Sequence, residues 1–311
     1  MAKLNRKRIV LCKHETTYGT DSVPVVGTDA LLVRNPDLTP LDAQYEGRDL
    51  VRPYLGRSDQ LPTTAWYKAT FEVELAGMKG LGVATPALSA LLRCCGLAET
   101  IVASTSVAYA PISDSFESAS IYCNYDGLHH KLLGARGSVS IELAKNKIPV
   151  LKFNVVGLWS PATDVTPGTP VFTDFKTPVV CNSANTTGFS VHGYTAAPLS
   201  ALTLDLANAL TTHSIINGTD EVLITDRQPA GSLTIQANTV AAKNWLSVIR
   251  NATNGALALT HGPATNRVQL AAPKVQLTEP RYSEEDGVVM LQMSTQILPS
   301  AGNDEFTLTF L

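Results

Sequence analysis

Charged residues, aromatic residues and long apolar runs are all scarce in this sequence. Charged side chains make up 16% and aromatic side chains 6% of the 311 residues, whereas an average globular protein is about 25% charged. The 24 basic and 27 acidic side chains leave a net charge of -3, which argues against tight binding of nucleic acids because such binding needs a basic surface. No run of about 18 apolar residues occurs, so we predict no membrane-spanning helix and no membrane partner.

The sequence also lacks the residue arrangements on which enzymes and metal sites depend. His129 and His130 are adjacent on a predicted strand, where neighbouring side chains point to opposite faces and cannot share one metal ion. The acidic run 284–286 lies in a predicted turn without the spacing of an EF-hand loop. No nucleophile elbow or phosphate-binding loop is present. We therefore predict a protein that is not an enzyme, with no catalytic, cofactor-binding or metal-binding residues and no cofactor. A β-rich hydrolase with an unfamiliar site is the remaining enzymatic alternative.

Cysteine usage and the N-terminus both favour a protein made in the cytoplasm. The cysteines are odd in number and lack zinc-type spacing, so we expect buried, reduced thiols, with a disulfide framework as the alternative. They are Cys12, Cys94, Cys95, Cys123 and Cys181. The basic segment 1–8 is followed by only four apolar residues, which is too few for a secretory signal.

The strongest structural pattern is a hairpin at residues 137–157. Its first arm alternates apolar and polar side chains, and its second arm does the same after a polar turn around Asn146, as expected for half-buried strands. A second hairpin with this pattern occurs at residues 272–298. Leu133 matches Leu270 and Ile141 matches Leu277 at a nearly constant spacing along the chain, which indicates a duplicated domain. Chance similarity between alternating strands is the alternative.

We predict a mainly β fold with one helix in each half. Helices are expected at 86–96 and 241–250, where apolar residues recur at helical spacing. The segment at 34–62 is polar and lacks periodicity, so it is either an extended hairpin that reaches a neighbour or a flexible surface loop. The predicted division of the chain is an N-terminal arm at 1–30, a first β domain at 31–160 that includes the long loop 34–62, a Pro- and Thr-rich linker at 161–170, and a second β domain at 171–311.

The order of these segments resembles that of a known protein family. The segments that carry the resemblance are Arg6–Arg8, Glu15–Thr20, Trp66–Leu75, Pro86–Gly96, Ala135–Leu143 with its return strand, and Asn303–Phe310. Together they resemble the tail tube (major tail) proteins of bacteriophages with long, non-contractile tails. The resemblance implies a tandem duplication of the tail tube fold, in which each domain is a small β-barrel or sandwich with one flanking helix. It also implies a structural virion protein, made in the host cytoplasm, whose β domains form rings that stack into a tube for genome ejection.

The resemblance also implies a set of partners. These are further copies of the chain, the tape measure protein, the tail terminator and distal tail proteins, and genomic DNA that passes through without being held tightly. Most members of the family form hexameric rings from one domain. Because two domains are predicted here, three chains would complete a ring, as a trimer that acts as a pseudo-hexamer.

Two groups of residues are candidates for roles in the assembly that the resemblance implies. Candidate contacts between subunits are Arg6, Lys7, Arg8, Arg48, Arg52, Tyr54 and Arg57. Candidate residues of the hairpins that form the inner barrel are Val139, Ile141, Leu143, Leu151, Phe153, Val275, Leu277 and Met290. A two-domain β-sandwich module that binds a carbohydrate or a receptor is the alternative function.

Overall fold

The computed structural model describes residues 2–311 and is built mainly from antiparallel strands. Strands account for 52% of the chain and helices for 5%, which confirms the predicted fold class. No helix in the described part of the chain has the length and apolar character needed to cross a membrane.

Strands dominate both halves of the chain, and each half has one helix. The elements of the first half are β1 (Arg8–His14), β2 (Ala30–Leu31), β3 (Val33–Gly47), β4 (Gln60–Glu74), α1 (Pro86–Cys94), β5 (Leu97–Val102), β6 (Ser106–Pro111), β7 (Ala119–Tyr125), β8 (Leu128–Ala144), β9 (Val150–Leu158) and β10 (Thr163–Asp164). Those of the second half are β11 (Thr186–Val191), β12 (Leu199–Asp205), β13 (Asn208–His213), β14 (Glu221–Arg227), β15 (Ala230–Gln236), α2 (Trp245–Arg250), β16 (Asn254–His261), β17 (Val268–Glu285), β18 (Val288–Ile297) and β19 (Thr307–Phe310).

Eight strands form a continuous sheet that we call the central sheet. Their order across it is β3-β4-β9-β8-β12-β15-β18-β17, and each neighbouring pair is antiparallel. Side chains alternate between its two faces, as strand geometry requires. One face carries buried apolar groups such as Phe71, Phe153 and Leu233, which belong to the main hydrophobic core. The other face, which we call the polar face, carries mainly polar groups such as Ser140 and Thr203, both only partly buried.

Outer strands cover the apolar side of the central sheet. In the first half β2, β1 and β7 pair in series, and β7 continues onto the N-terminal part of β8. In the second half β11, β16 and the N-terminal part of β17 do the same, and β19, β6 and β5 extend that layer. The long strands β8 and β17 therefore belong to both layers. In β8 the bend falls at Gly134, whose φ of +56° favours glycine.

The two halves share one succession of strand pairings. In the first half β1, β7, β8, β9, β4 and β3 pair in series, and in the second half β11, β16, β17, β18, β15 and β12 do so. Short strands β10 and β19 add to the same end of β8 and β17.

Register breaks show which positions of the two halves are equivalent. The β7–β8 and β16–β17 pairings each have such a break, beside Ala135 in the first half and beside Val275 in the second. Counting along the strands from these two residues, Gly137 corresponds to Leu277. The halves therefore align a few residues away from the match of Ile141 with Leu277 that the sequence suggests.

Residues 2–30 of the predicted N-terminal arm are more ordered than expected. Met1 lies outside the described residues. Residues 8–14 form β1 inside the first half, paired with β7 and β2, and Cys12 is fully buried. The Glu15 carboxylate is also buried and accepts hydrogen bonds from the hydroxyls of Ser118 and Ser120 and from the Gly134 amide, at 2.7–2.9 Å. Pairing with distant strands, which short-range patterns do not reveal, makes this segment part of the body.

Two other predicted segments also have more structure than expected. Residues 34–62 are not a loop, because most of them lie in β3 and the start of β4, which form a long hairpin with three register breaks. Of the two alternatives for this segment, the structure shows the shape of the extended hairpin. Within the linker 161–170, Thr163 and Asp164 pair with the start of β8, so the connection is held against the first half. The hydrophobic core is continuous through both halves.

The two helices match the predicted positions, but they differ in burial. Helix α1 begins with Pro86 at its first turn and buries seven of its nine residues. Helix α2 starts at Trp245, later than the expected 241, because the Asn244 side chain accepts a hydrogen bond from the Ser247 amide and caps the helix there. Only Trp245 of its six residues is buried.

Candidate assembly surface

The first half of the polar face carries two ion pairs. Across β8 and β9, Lys152 Nζ lies 2.7 Å from Glu142 Oε1. On β4, Lys68 Nζ lies 2.6 Å from Asp42 Oδ2 on the adjacent β3. These groups are partly exposed, so each pair contributes little to stability. Their pairing leaves this part of the face with little net charge to attract a polyanion.

The second half of the polar face is built mainly from neutral side chains, with Asp205 and Glu279 as its acidic members. On β12 and β15, Thr203 Oγ1 and Ser232 Oγ lie 2.9 Å apart and share a hydrogen bond. Neighbouring positions on β15 and β18 are Thr234, Gln292 and Ser294. Hydroxyl and amide groups can exchange hydrogen bonds with water without holding an ion. The two parts of the face thus reach low net charge by different means.

The β3–β4 hairpin extends well beyond the central sheet. We call residues 42–66, which follow the register break after Thr39, the distal hairpin. Its tip carries four of the predicted contact residues, Arg48, Arg52, Tyr54 and Arg57, all exposed. Arg48 pairs with Asp59 at 3.0 Å, and Val51 and Leu55 at the tip are fully exposed apolar side chains. Exposed apolar groups on a projecting hairpin are typical of a surface that is covered by a partner.

The three basic residues near the N-terminus do not form one group with this tip. Arg6 and Lys7 are exposed ahead of β1. Arg8 instead donates a hydrogen bond to the Pro36 carbonyl, and its guanidinium lies 4.8 Å from the centre of the Tyr125 ring. Arg8 therefore serves a contact inside the chain.

The predicted inner-barrel residues lie in the central sheet, but most face away from its polar surface. Seven are buried in the hydrophobic core, namely Val139, Ile141, Leu143, Leu151, Phe153, Val275 and Leu277. Met290 is opposite Gln236 on the polar side, although it is buried too. The residues that cover the polar face are those between the apolar positions, and the same alternation could have identified them.

A second projecting hairpin, β13–β14, went unrecognised in the sequence. It packs against the first half, where Val222 forms a small apolar cluster with Trp66 and Val156. The Val222 amide donates to the Tyr18 hydroxyl at 2.6 Å, and Arg136 Nη1 donates to the Val222 carbonyl at 2.8 Å. A short alternation around Leu210 and Val222 was its only signal, and strands this short are difficult to recognise. The β13–β14 hairpin therefore contributes contacts between the second half and the first.

The family model of phage tail tube proteins matches residues 5–297. The chain belongs to the phage tail tube protein family. The predicted resemblance is confirmed by this match, which covers most of the chain. No curated protein matches the sequence.

Membership of the phage tail tube family makes this chain a structural component of a phage tail. The family implies self-assembly into a tube and a place in the virion.

Reactive side chains of this tail tube family member lie in the body of the fold. All five cysteines are buried and none is in a disulfide. Burial raises the pKa of the Cys123 thiol to about 12, so it stays protonated and unreactive. His129 packs edge-on against Tyr122, whereas His130 packs against Tyr67 on the other side of β8. The two imidazoles thus diverge, as the strand prediction requires.

Proposed function

We propose that three copies of this chain close into a ring in which their central sheets join edge to edge. The observation that carries this proposal is the central sheet itself. Four strands of the first half and four of the second, in the same order of pairing, already lie side by side through β8 and β12. Three sheets of eight strands would give a barrel of twenty-four. The ring would then have pseudo-sixfold symmetry.

The repeated pairings also favour a tandem duplication of one tail tube domain. We infer that the units correspond to residues 31–160 and 171–311, with the strand at 8–14 added to the first. The matching register breaks beside Ala135 in β8 and Val275 in β17 support this inference. Each unit is completed by its own helix, α1 or α2.

Stacked rings would form a tube with the polar face toward the channel. Paired charges such as Glu142 with Lys152, and neutral groups such as Thr203 and Ser232, would let DNA pass during ejection without holding it. The buried apolar face of the sheet would point outward into each subunit. The chain would be made in the host cytoplasm and then enter the tail.

Contacts with adjacent subunits and rings would come from the projecting segments. The distal hairpin with its exposed Val51, Tyr54 and Leu55 is the principal candidate, and exposed Arg6 and Lys7 are the second. Further partners would be the tape measure protein inside the tube and the terminator and distal tail proteins at its ends.

Symmetry and mass measurements test this proposal. Assembled tubes should show rings of three chains, each ring about 100 kDa from a chain of 33.2 kDa, in electron micrographs and in native mass spectra. Rings of six chains would contradict the trimer. Compact monomers that bind glycans would favour the adhesion alternative instead.

A further inference from the structure

Both outer edges of the central sheet have unpaired backbone in residues 2–311. At one edge, β3 pairs with β4 and has no strand on its other side. At the other edge, β17 pairs with β18 through Glu285, but its pairing with β16 on the opposite side stops at Gln276. Residues 277–285 of β17 thus present an open edge, which we call the β17 edge. Open edges on a sheet are sites where another strand can add.

The chain already contains one junction between equivalent strands. Strand β8 of the first half is equivalent to β17 of the second half. Strand β12 of the second half is equivalent to β3 of the first. Within the chain β8 pairs with β12, with Ile141 opposite Leu204 and Glu142 opposite Thr203. Ile141 and Leu204 are each 2% exposed, so this junction is closed over the core.

We propose that the β17 edge of one subunit pairs antiparallel with β3 of a second copy, repeating the β8–β12 junction between chains. The inference rests on the proposed ring, and it adds which strands meet and in which register. Joining the sheets this way uses both open edges of every central sheet, so that the joined sheets close on themselves.

Equivalent positions can be followed from strand to strand through the registers inside the chain. Gly137 and Leu277 are counterparts, as the register breaks near them show. Gly137 pairs with Val155 on β9, and Leu277 pairs with Thr295 on β18. Val155 and Thr295 are therefore counterparts as well.

The β17 side of the contact follows by counting back along β9 and β18. Leu151 then corresponds to Leu291, and these residues pair with Ile141 on β8 and with Tyr282 on β17. Tyr282 is therefore the counterpart of Ile141. The residue after it, Ser283, takes the place of the residue after Ile141.

The β3 side follows from the pairing of the next two strands. Ala69 pairs with Val155, and Gly231 pairs with Thr295, so Ala69 and Gly231 are counterparts. Their partners on the following strand are Leu38 and Leu204, which are therefore counterparts too.

Combining the two sides sets Leu38 of one subunit opposite Tyr282 of the next. Asp37 then lies opposite Ser283, in the place of the pair formed by Thr203 and Glu142. The expected junction has one apolar pair toward the core and one polar pair toward the polar face.

Exposure in the single chain agrees with this register. Tyr282 is 66% exposed, whereas its counterpart Ile141 is buried. Leu41 on β3 is also exposed. A pairing strand would cover Tyr282, as β12 covers Ile141 of β8. Apolar side chains along an open edge otherwise promote unspecific association.

Polar contacts connect the tip of the β17–β18 hairpin to residues at the ends of β8 and β12. At the tip of the β17–β18 hairpin, Lys145 Nζ lies 2.7 Å from both Glu285 and Asp286, and the Ser200 hydroxyl donates to Glu285 at 2.6 Å. Hydrogen bonds from Lys145 lower the pKa of both carboxyl groups. Anchoring reduces the conformational entropy lost when a second strand adds.

Disulfide trapping tests the register. Asp37→Cys and Ser283→Cys in one chain place two thiols at a predicted cross-strand pair, where the Cα separation of about 4.5–5.5 Å suits a disulfide. Mild oxidation of assembled protein should give covalent dimers and trimers on a non-reducing gel, while unassembled monomers should give none. The native cysteines are all buried and provide no background. The matched control is Arg34→Cys with Ser283→Cys, which moves one thiol along β3 and should cross-link at least tenfold less.

Hydrogen exchange on the unaltered protein makes the test independent of these variants. Within residues 281–284 and 37–39, the amides that point to the open edge should become protected when monomers assemble. Tubes or rings in which these amides stay unprotected, or in which the shifted cysteine pair links as well as the predicted one, would overturn this junction while leaving the tube function intact. A protein that forms no rings or tubes at all would overturn the proposed function, and this junction with it.

Discussion

The two halves of the molecule follow the same strand order but reach stability differently. Helix α1 in the first half is almost fully buried, and Leu91 at its centre is fully inaccessible. Helix α2 in the second half buries only Trp245, and Leu246 is 47% exposed. The first half thus covers its part of the shared core with its helix. In the second half the helix contributes little to the core beyond Trp245.

Contacts between the halves join the second half to the first. Strand β6 of the first half pairs with β19, the last strand of the second, and Tyr109 meets Phe310 edge-on at 5.9 Å. Strands β8 and β12 join the central sheet. A duplicated architecture therefore need not have two independent cores, because the copies can share strands and side chains. We expect one cooperative unfolding transition.

The largest effect should come from breaking the ion pair that ties the C-terminal segment to the body. Arg227 and Glu305 are about nine-tenths buried and 2.6 Å apart. Arg227→Ala leaves the Glu305 carboxylate buried without a cation, so we expect a loss of about 4 kcal/mol in unfolding free energy. Chemical denaturation measures it. Adding Glu305→Leu should restore part of the loss, and no recovery would show that the charge itself is not the cause.

The helices provide the most direct comparison of the halves. Leu91→Ala should lower the unfolding free energy by about 3 kcal/mol, because it leaves a cavity in a closed core. Leu246→Ala is the matched change on α2 and should cost less than about 1 kcal/mol in the monomer, since its side chain is half in water. Urea denaturation of both variants checks the difference. Equal losses would mean that α2 is as firmly packed as α1.

Lower pH should weaken both halves. Burial lowers the pKa of His129 and His130 in the first half and of His192 and His261 in the second. The folded state binds fewer protons than the unfolded state, so stability is complete above the ordinary pKa of about 6.5 and is lost as pH falls through it.

Calorimetry at pH 7.5 and 5.5 checks this expectation. The melting temperature should fall at the lower pH, in one transition for both halves, and His130→Gln or His261→Gln should reduce the pH dependence. Two separate transitions would show that the halves unfold independently. A melting temperature that rises at pH 5.5 would contradict the assigned direction.

The smallest effect should come from making the first half of the polar face as neutral as the second. The double change Glu142→Thr and Lys152→Thr removes one exposed ion pair, so we expect less than about 0.5 kcal/mol change in unfolding free energy. DNA binding at low salt should stay as weak as before. The single variant Glu142→Thr leaves Lys152 without its partner. This variant should bind DNA more tightly if the ion pair is what prevents Lys152 from attracting DNA.

Local alternation was sufficient to predict the strands near the two long hairpins. Phe153 and Leu277 face the core as their spacing indicates, and α1 starts where Pro86 predicts. For β3 the sequence left an extended hairpin and a flexible loop open, because Pro36, Pro40 and register breaks interrupt its alternation. Prediction failed for β1, because its partner strand β7 lies far away in sequence. The exposed residues of the distal hairpin were found from their polar composition, without their geometry.

The sequence by itself determined the strands of the two long hairpins and which side of each is apolar, because both depend on the spacing of neighbouring residues. It could not determine which strands lie side by side. The pairing of β8 with β12 and of β6 with β19 was decided only by the tertiary structure. These strands are far apart in sequence, and the spacing of residues within a strand does not specify its neighbour. Those pairings leave β3 and residues 277–285 of β17 open, and so decide where a second copy can add.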